Sequence, residues 1–298
     1  MDVLGGIVPP MTTPFSPDGA LRLDKVKAQV DWLIGQGVHG LAAGGSTGEG
    51  HALDGEELRD LVAATCDAAQ GRVPVVAGVI VDSTRDAVKR GKSVAALKVA
   101  ALQVTPVHYL FRPDDDAMLG HFRAVTEETG LPVIIYNVVP WSYLSPQLLV
   151  RIMREVPGAV GVKQSAGDLK LLADLLLTAA PASRIFSAVD ALLYPSFALG
   201  AHGSIAAILT AAPQACVALW NAVKAGDHGK ALRLHRQLLA LWNALAGDNL
   251  PACTKFAQGV QGCDAGVPRQ PMPGATPAQQ AAIRKALQDL GAPLQRAA

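Results

Sequence analysis

Short apolar runs and longer amphipathic stretches alternate along the first 210 residues of the chain. The apolar runs are GIVPPM, HGLAAG, VPVVAGV (73–79), AALQVTP (100–106), LPVIIYNVV (131–139), AVGVKQS (159–165), SRIFSAV (183–189) and HGSIAAI (202–208). Their length and flanking Gly/Pro signals predict eight strands. Between the first two, LDKVKAQVDWLIGQG returns an apolar residue every three or four positions and ends on glycine, which predicts a helix with a C-terminal stop. DGEELRDLVAATCDAA begins with an aspartate placed to cap a helix, followed by acids that favour its N-terminus. Further helices are predicted over 84–97, 114–129, 145–156, 168–180 and 190–199.

Apolar strands alternating with helices predict an α/β fold, a (β/α)8 TIM barrel, with an open doubly wound sheet as the alternative. After the last strand come AAPQACVALWNAVKAG, DHGKALRLHRQLLALWNALAG and, beyond a Gly/Pro-rich connection, TPAQQAAIRKALQDLG. One closing helix does not need so much chain, so a C-terminal helical extension is expected. The predicted division is a barrel core over 1–210 and a closing helix with its extension over 211–298, fraying after Pro293.

A length of 298 residues suits one large barrel, and a composition 50% hydrophobic and 17% charged can fill its core. The net charge of +1, without a basic cluster, argues against a nucleic-acid partner. The opening MDVLGGIVPP lacks the layout of a signal peptide, and no apolar run approaches the ~20 residues of a membrane span. A cytoplasmic protein without a membrane partner is expected. Cys66, Cys216, Cys253 and Cys263 form no Cys-x-x-Cys pair. The first two read as core residues, whereas Cys253 and Cys263 fall in the Gly-rich connection and are expected to be more exposed.

Candidate chemistry starts with GGSTGEGHAL, Gly44 to Leu53. Glu49 follows Gly48 where a P-loop needs lysine, and the glycine spacing is wrong for a dinucleotide fingerprint. There remains a turn with two hydroxyls, Ser46 and Thr47, and free amides, suited to a small carboxylate or a phosphate. Barrel enzymes place their reactive groups at the C-terminal ends of strands, which selects this turn, Tyr136-Asn137, Lys163 and the region of Asp190.

Lys163 lies inside an apolar strand. On a solvent-facing strand it would mean little, but in a desolvated barrel mouth a lysine favours its neutral amine, the form that attacks a carbonyl to make a Schiff base. Tyr136, one strand away, is placed to move the protons of the carbinolamine with Ser46 as relay, or else is a core tyrosine with a satisfied hydroxyl. Glu49 reads as a hydrogen-bonding residue between loops. His51 and His108 read as rim residues. No metal is expected, because the histidines show no ligand spacing, and no Gly-x-Ser-x-Gly elbow appears.

The ordered set GGSTGE, TP…RP, IIYNV, GVKQS and ALGAHGSI resembles the dihydrodipicolinate synthase/N-acetylneuraminate lyase family from about residue 4 through the C-terminal helices. The resemblance implies a barrel with a C-terminal helical domain and a dimer of dimers. It also implies a Schiff base with pyruvate or a related 2-oxo acid, and no metal or organic cofactor. By position Lys163 matches the Schiff-base lysine and Tyr136 the proton-shuttling tyrosine. Ser46 and Thr47 match the pair that holds the substrate carboxylate, in a pocket shaped by glycines such as Gly45, and the main chain of Ile205 would lie beside the substrate.

Two positions depart from the pattern. Biosynthetic synthases carry an arginine five residues after the tyrosine, where this chain has Trp141, so a dicarboxylate second substrate loses its fork-shaped partner. The segment TPVHYLFRP is longer than its family counterpart. The tyrosine lent across the tight dimer is therefore Tyr109 or is missing, with His108 nearby. The expectation is a Schiff-base lyase or aldolase acting on a 2-oxo acid or cyclic imino acid, with catabolic use preferred and deamination of 1-pyrroline-4-hydroxy-2-carboxylate as the specific choice. A true 4-hydroxy-tetrahydrodipicolinate synthase, a non-catalytic 2-oxo-acid-binding paralogue and a metal-dependent barrel hydrolase are the alternatives.

Overall fold

Strands that are apolar on both faces need cover on both, and the chain supplies it by following each strand with a helix. The computed structural model describes residues 4–295. Its first elements are β1 (Gly6–Ile7), α1 (Leu23–Gly35), β2 (Leu41–Ala43), α2 (Gly55–Ala69), β3 (Val75–Val79) and α3 (Thr84–Val94). There follow β4 (Ala101–Val104), α4 (Asp115–Thr129), β5 (Val133–Asn137), α5 (Pro146–Glu155), β6 (Ala159–Gln164) and α6 (Leu169–Thr178). The barrel ends with β7 (Arg184–Ser187), α7 (Leu193–Ala198), β8 (Gly203–Ser204) and α8 (Ile208–Ala211). Beyond it lie α9 (Pro213–Lys224), α10 (His228–Leu245), α11 (Leu250–Val260) and α12 (Pro277–Asp289).

The 8-stranded sheet is parallel throughout and runs β1-β8-β7-β6-β5-β4-β3-β2. A parallel bridge between Pro10 and Ala42 joins its two ends, with Met11 N donating to Ala42 O at 2.8 Å. The sheet is therefore the closed barrel and not the open alternative. Alternation along the strands divides the apolar residues between two cores. Val8, Ala42, Val76, Ala101, Ile134 and Phe186 fill the barrel interior. Leu41, Val75, Leu102, Val133, Ile135 and Ile185 turn outward into the larger core shared with the helices.

Several strand-to-helix turns finish on a side chain that caps the next helix. Asp54, Ser83, Asp114, Ser145 and Asp168 each accept a backbone N–H of the helix they precede. At Asp54 the predicted cap is a full capping box with Glu57, a feature whose loss typically costs about 1 kcal/mol.

The C-terminal part differs from the expectation in three respects. The Gly/Pro-rich connection contains a helix, α11, which packs on α8 and α12. Pro251 sits in its first turn, where a missing N–H costs nothing. Cys253 and Cys263 are accordingly buried, at 0% and 4% exposure, and burial pushes both thiols up, Cys263 to about 12. Within the segment expected to fray, Gln295 N donates to Val260 O at 2.9 Å, while 296–298 fall outside the described residues.

Candidate active site

The turn after β2 holds its shape because several glycines let backbone meet backbone. Gly44 has φ +71°, and a Cβ at Gly50 would sit 1.9 Å from Gly44 O. Glu49 N donates to Ser46 O and Gly50 N to Gly45 O, each at 3.0 Å, and Thr13 Oγ1 donates to Gly48 O at 2.5 Å. These bonds present Ser46 and Thr47 at the C-terminal end of the barrel.

The β5–β6 ladder places Tyr136 opposite Lys163. Both are buried, at 2% and 4% exposure, and Lys163 Nζ lies 3.8 Å from the centre of the Tyr136 ring. The Tyr136 hydroxyl donates to Ser46 Oγ at 2.9 Å. Two further bonds steady the end of β5: Asn137 Nδ2 donates to Gln164 Oε1 at 3.1 Å, and Leu144 N donates to Asn137 Oδ1 at 2.9 Å. A cavity of about 190 Å3 opens here, and Lys163, Tyr136, Ser46, Thr47 and Ile205 all lie in its wall. An amine, a phenol and an alcohol thus converge in one small space. A wider cleft of about 760 Å3, by Cys66, Arg72 and Lys98 where β3 begins, is lined by none of these residues.

The wall also includes Asp190, whose strand end the sequence selects without giving it a role, and Ser165, Leu250 and Pro251, which the sequence does not single out. Asp190 Oδ1 accepts Ile208 N–H at 2.7 Å, tying the end of β7 to the segment after β8. Burial pushes its carboxyl up to about 6, against backbone hydrogen bonds and the Lys163 ammonium, which pull it down. Tyr143 reaches Ser165 O from the loop after β5, and burial raises its phenol, with the neighbouring Tyr136 adding to the effect. Its position in YNVVPWSYL, seven residues beyond Tyr136, was the only signal in the sequence.

Other residues singled out from the sequence are not in the cavity wall. Gly45 acts through its carbonyl within the turn. Trp141 is 72% exposed and its indole N–H donates to His108 O at 2.7 Å, so it braces the loop after β4 from the rim. Tyr109 is 68% exposed on that loop. His51 is exposed, and the His108 ring lies 2.9 Å from Pro106 O and 3.2 Å from Asp82 Oδ1. Among the described residues no group of three or more His, Cys, Asp or Glu is arranged to hold a metal ion. Among the same residues no helix is long and apolar enough to cross a membrane.

Residues 3–290 match the model of the dihydrodipicolinate synthetase family. A 4-hydroxy-tetrahydrodipicolinate synthase of Ralstonia nicotianae is 34% identical over 296 residues, covering 98% of this chain and 99% of the relative. Another, of Phenylobacterium zucineum, is 35% identical over 96% of this chain and 97% of its own. Among solved structures, a prophage protein of the dihydrodipicolinic acid synthase family from E. coli K12, in complex with pyruvate, superposes with a TM-score of 0.92. It is 26% identical and covers 97% of this chain and 99% of its own. A dihydrodipicolinate synthase from Bacillus anthracis gives a TM-score of 0.89 at 29% identity, covering 95% and 97%.

Proposed function

The chain belongs to the dihydrodipicolinate synthetase family and is a class I lyase or aldolase, and we propose that Lys163 forms a Schiff base with a 2-oxo acid of the pyruvate class or with a cyclic imino acid. The observation that carries this reading is the contact of the buried Lys163 amine with a tyrosine whose hydroxyl is bonded to Ser46. With a 2-oxo acid the amine adds to the carbonyl carbon to give a carbinolamine, which loses water to become an iminium. With a cyclic imino acid it adds to the C=N carbon, and the ring nitrogen, once protonated, leaves as the amine to give the same iminium on Lys163. Tyr136 delivers a proton to the departing hydroxyl and recovers one through Ser46, while Thr47 and the amides of its turn hold the substrate carboxylate. The iminium is the electron sink of the reaction, so the covalent bond to Lys163 does the work that an organic cofactor does elsewhere.

Within the class we favour a catabolic substrate, with deamination of 1-pyrroline-4-hydroxy-2-carboxylate as the specific candidate. Support comes from Trp141, an indole where the biosynthetic pattern has a guanidinium for a second carboxylate. The second reading, a 4-hydroxy-tetrahydrodipicolinate synthase, is favoured by the names of relatives at 34% and 35% identity. We read the protein as a cytoplasmic homo-oligomer built as a dimer of dimers. Its exposed Tyr109, Leu110 and Phe111 lie on the loop that Trp141 braces.

Borohydride reduction with and without pyruvate, followed by peptide mass spectrometry, tests the central claim. A pyruvate-dependent adduct on Lys163 is expected. An adduct only with a larger oxo acid or cyclic imine would move the substrate away from pyruvate, and no adduct with any of them would leave a binding paralogue. Turnover of the hydroxylated pyrroline against pyruvate plus aspartate semialdehyde then separates the two specific readings.

A further inference from the structure

Glu49 follows the carboxylate-binding turn directly, and it is bonded on every side. Its backbone takes the left-handed conformation, φ 54°, and its N–H closes the turn on Ser46 O at 3.0 Å. Its carboxylate does not face the cavity but runs into the protein, where Oε1 meets Lys255 Nζ at 2.6 Å and Oε2 accepts Arg269 N–H at 2.8 Å. Both side chains of the ion pair are sealed off, at 2% exposure for Lys255 and 1% for Glu49. The ammonium also donates to Val267 O at 2.6 Å and lies 4.9 Å from the centre of the Phe15 ring. Lys255 belongs to α11, whose first residues, Leu250 and Pro251, form part of the cavity wall.

A buried ion pair is a poor way to gain stability. Desolvating two charges offsets most of their attraction, and apolar residues of similar volume often serve as well. What the pair gives, and apolar packing does not, is a directional link of fixed length. It joins residues 206 positions apart, one on the substrate turn and one on a helix outside the barrel. The same end of the turn is held from beneath by Thr13 Oγ1 on Gly48 O.

We propose that the Lys255–Glu49 pair is a positioning device for the Ser46–Thr47 turn, through which the C-terminal helix α11 sets the affinity of the site for the carboxylate of its substrate. The proposal rests on the Schiff-base reading for the identity of that substrate, but the mechanical link does not depend on it. Neither residue touches the reacting atoms. Their loss therefore raises the half-saturating substrate concentration more than it slows the bound complex.

The test uses Lys255→Met, which leaves the Glu49 carboxylate unpaired and is prone to misfold, together with the double variant Glu49→Gln/Lys255→Met, which buries no net charge. In the double variant the pyruvate concentration for half-maximal borohydride trapping should rise about tenfold. The trapping rate at saturation should stay within about twofold of wild type. Amide hydrogen exchange should rise in the segment 44–52 and stay unchanged in the barrel strands. A lowered melting temperature with unchanged half-saturation and unchanged exchange in that segment would make the pair mere scaffold and overturn the proposal. If the wild-type protein traps no pyruvate, the Schiff-base reading for that substrate fails instead. Exchange in 44–52 then decides on the positioning device alone.

Discussion

Removing the hydroxyl of Tyr136 leaves the ring that lies 3.8 Å from Lys163 Nζ, so this residue separates the packing of the site from its proton transfers. Tyr136→Phe should lower kcat by about a hundredfold or more while moving KM little, because the lost hydroxyl works on protons in the carbinolamine steps. The opposite pattern in steady-state kinetics, a large rise in KM at near-normal kcat, would make Tyr136 a binding residue. Lys163→Ala is the sharper case. It should eliminate both turnover and the borohydride adduct with the fold retained by circular dichroism, since the change removes a buried polar group that ends in the cavity without taking a partner from the surrounding core. Near-normal activity of this variant would end the Schiff-base account.

At the scale of elements, helix α4 carries an ionisable group into the helix–strand core. His121 is 3% exposed, its Nδ1 lies 3.0 Å from Thr84 Oγ1, and burial pulls its pKa down to about 4 from 6.5. Between those values the unfolded chain binds a proton that the folded protein refuses, so His121 makes stability fall as pH drops from 6.5 toward 4. The loss is at most of the order of 3 kcal/mol. Asp190, raised from 3.8 to about 6, works in the opposite sense, because there the folded protein holds the extra proton. Wild type must therefore be compared with His121→Gln. Denaturant midpoints of the variant should lack the acid-side decline attributable to the histidine, and parallel curves for the two proteins would refute the assignment.

The same scale explains what could be read from the sequence. The strand–helix alternation was legible because strands covered on both faces are continuous apolar runs, and Asp54 announced α2 because a capping box is a local device. Helix α11 was hidden. In LPACTKFAQGV buried residues occupy nearly every position, so no polar face marks a period, and Pro and Gly suggest a break. Lys255 was lost with it, although a lysine among apolar residues is the same signal that singled out Lys163. Lys163, Tyr136, Ser46 and Thr47 were found because strand ends in a barrel converge on one mouth, whereas Ile205, also in the cavity wall, came only from the family resemblance. Trp141 and Tyr109 sit on long loops, whose course spacing alone does not determine.

For the whole molecule, the residues that the cavity does not use remain on its rim. Tyr109, Leu110, Phe111 and Trp141 are 68%, 71%, 85% and 72% exposed. The Trp141 indole on His108 O and Ser142 Oγ on Val107 O join the loops after β4 and β5, so the four side chains belong to one bridged pair of loops. Apolar side chains gathered in this way are the kind of surface that another protein covers, and in the proposed homo-oligomer a two-fold axis lets one patch cover its own copy. An aspartate placed at Phe111 would have to be desolvated in such a contact. Phe111→Asp should therefore weaken self-association by at least about thirtyfold, read by sedimentation equilibrium as smaller species at concentrations where wild type is assembled. If Tyr109 is lent to a neighbour's cavity, turnover should fall in step with dissociation and recover at high protein concentration. Loss of assembly with full activity would instead show a site complete within one chain. A wild-type protein that stays monomeric at every concentration would remove the homo-oligomer from the account.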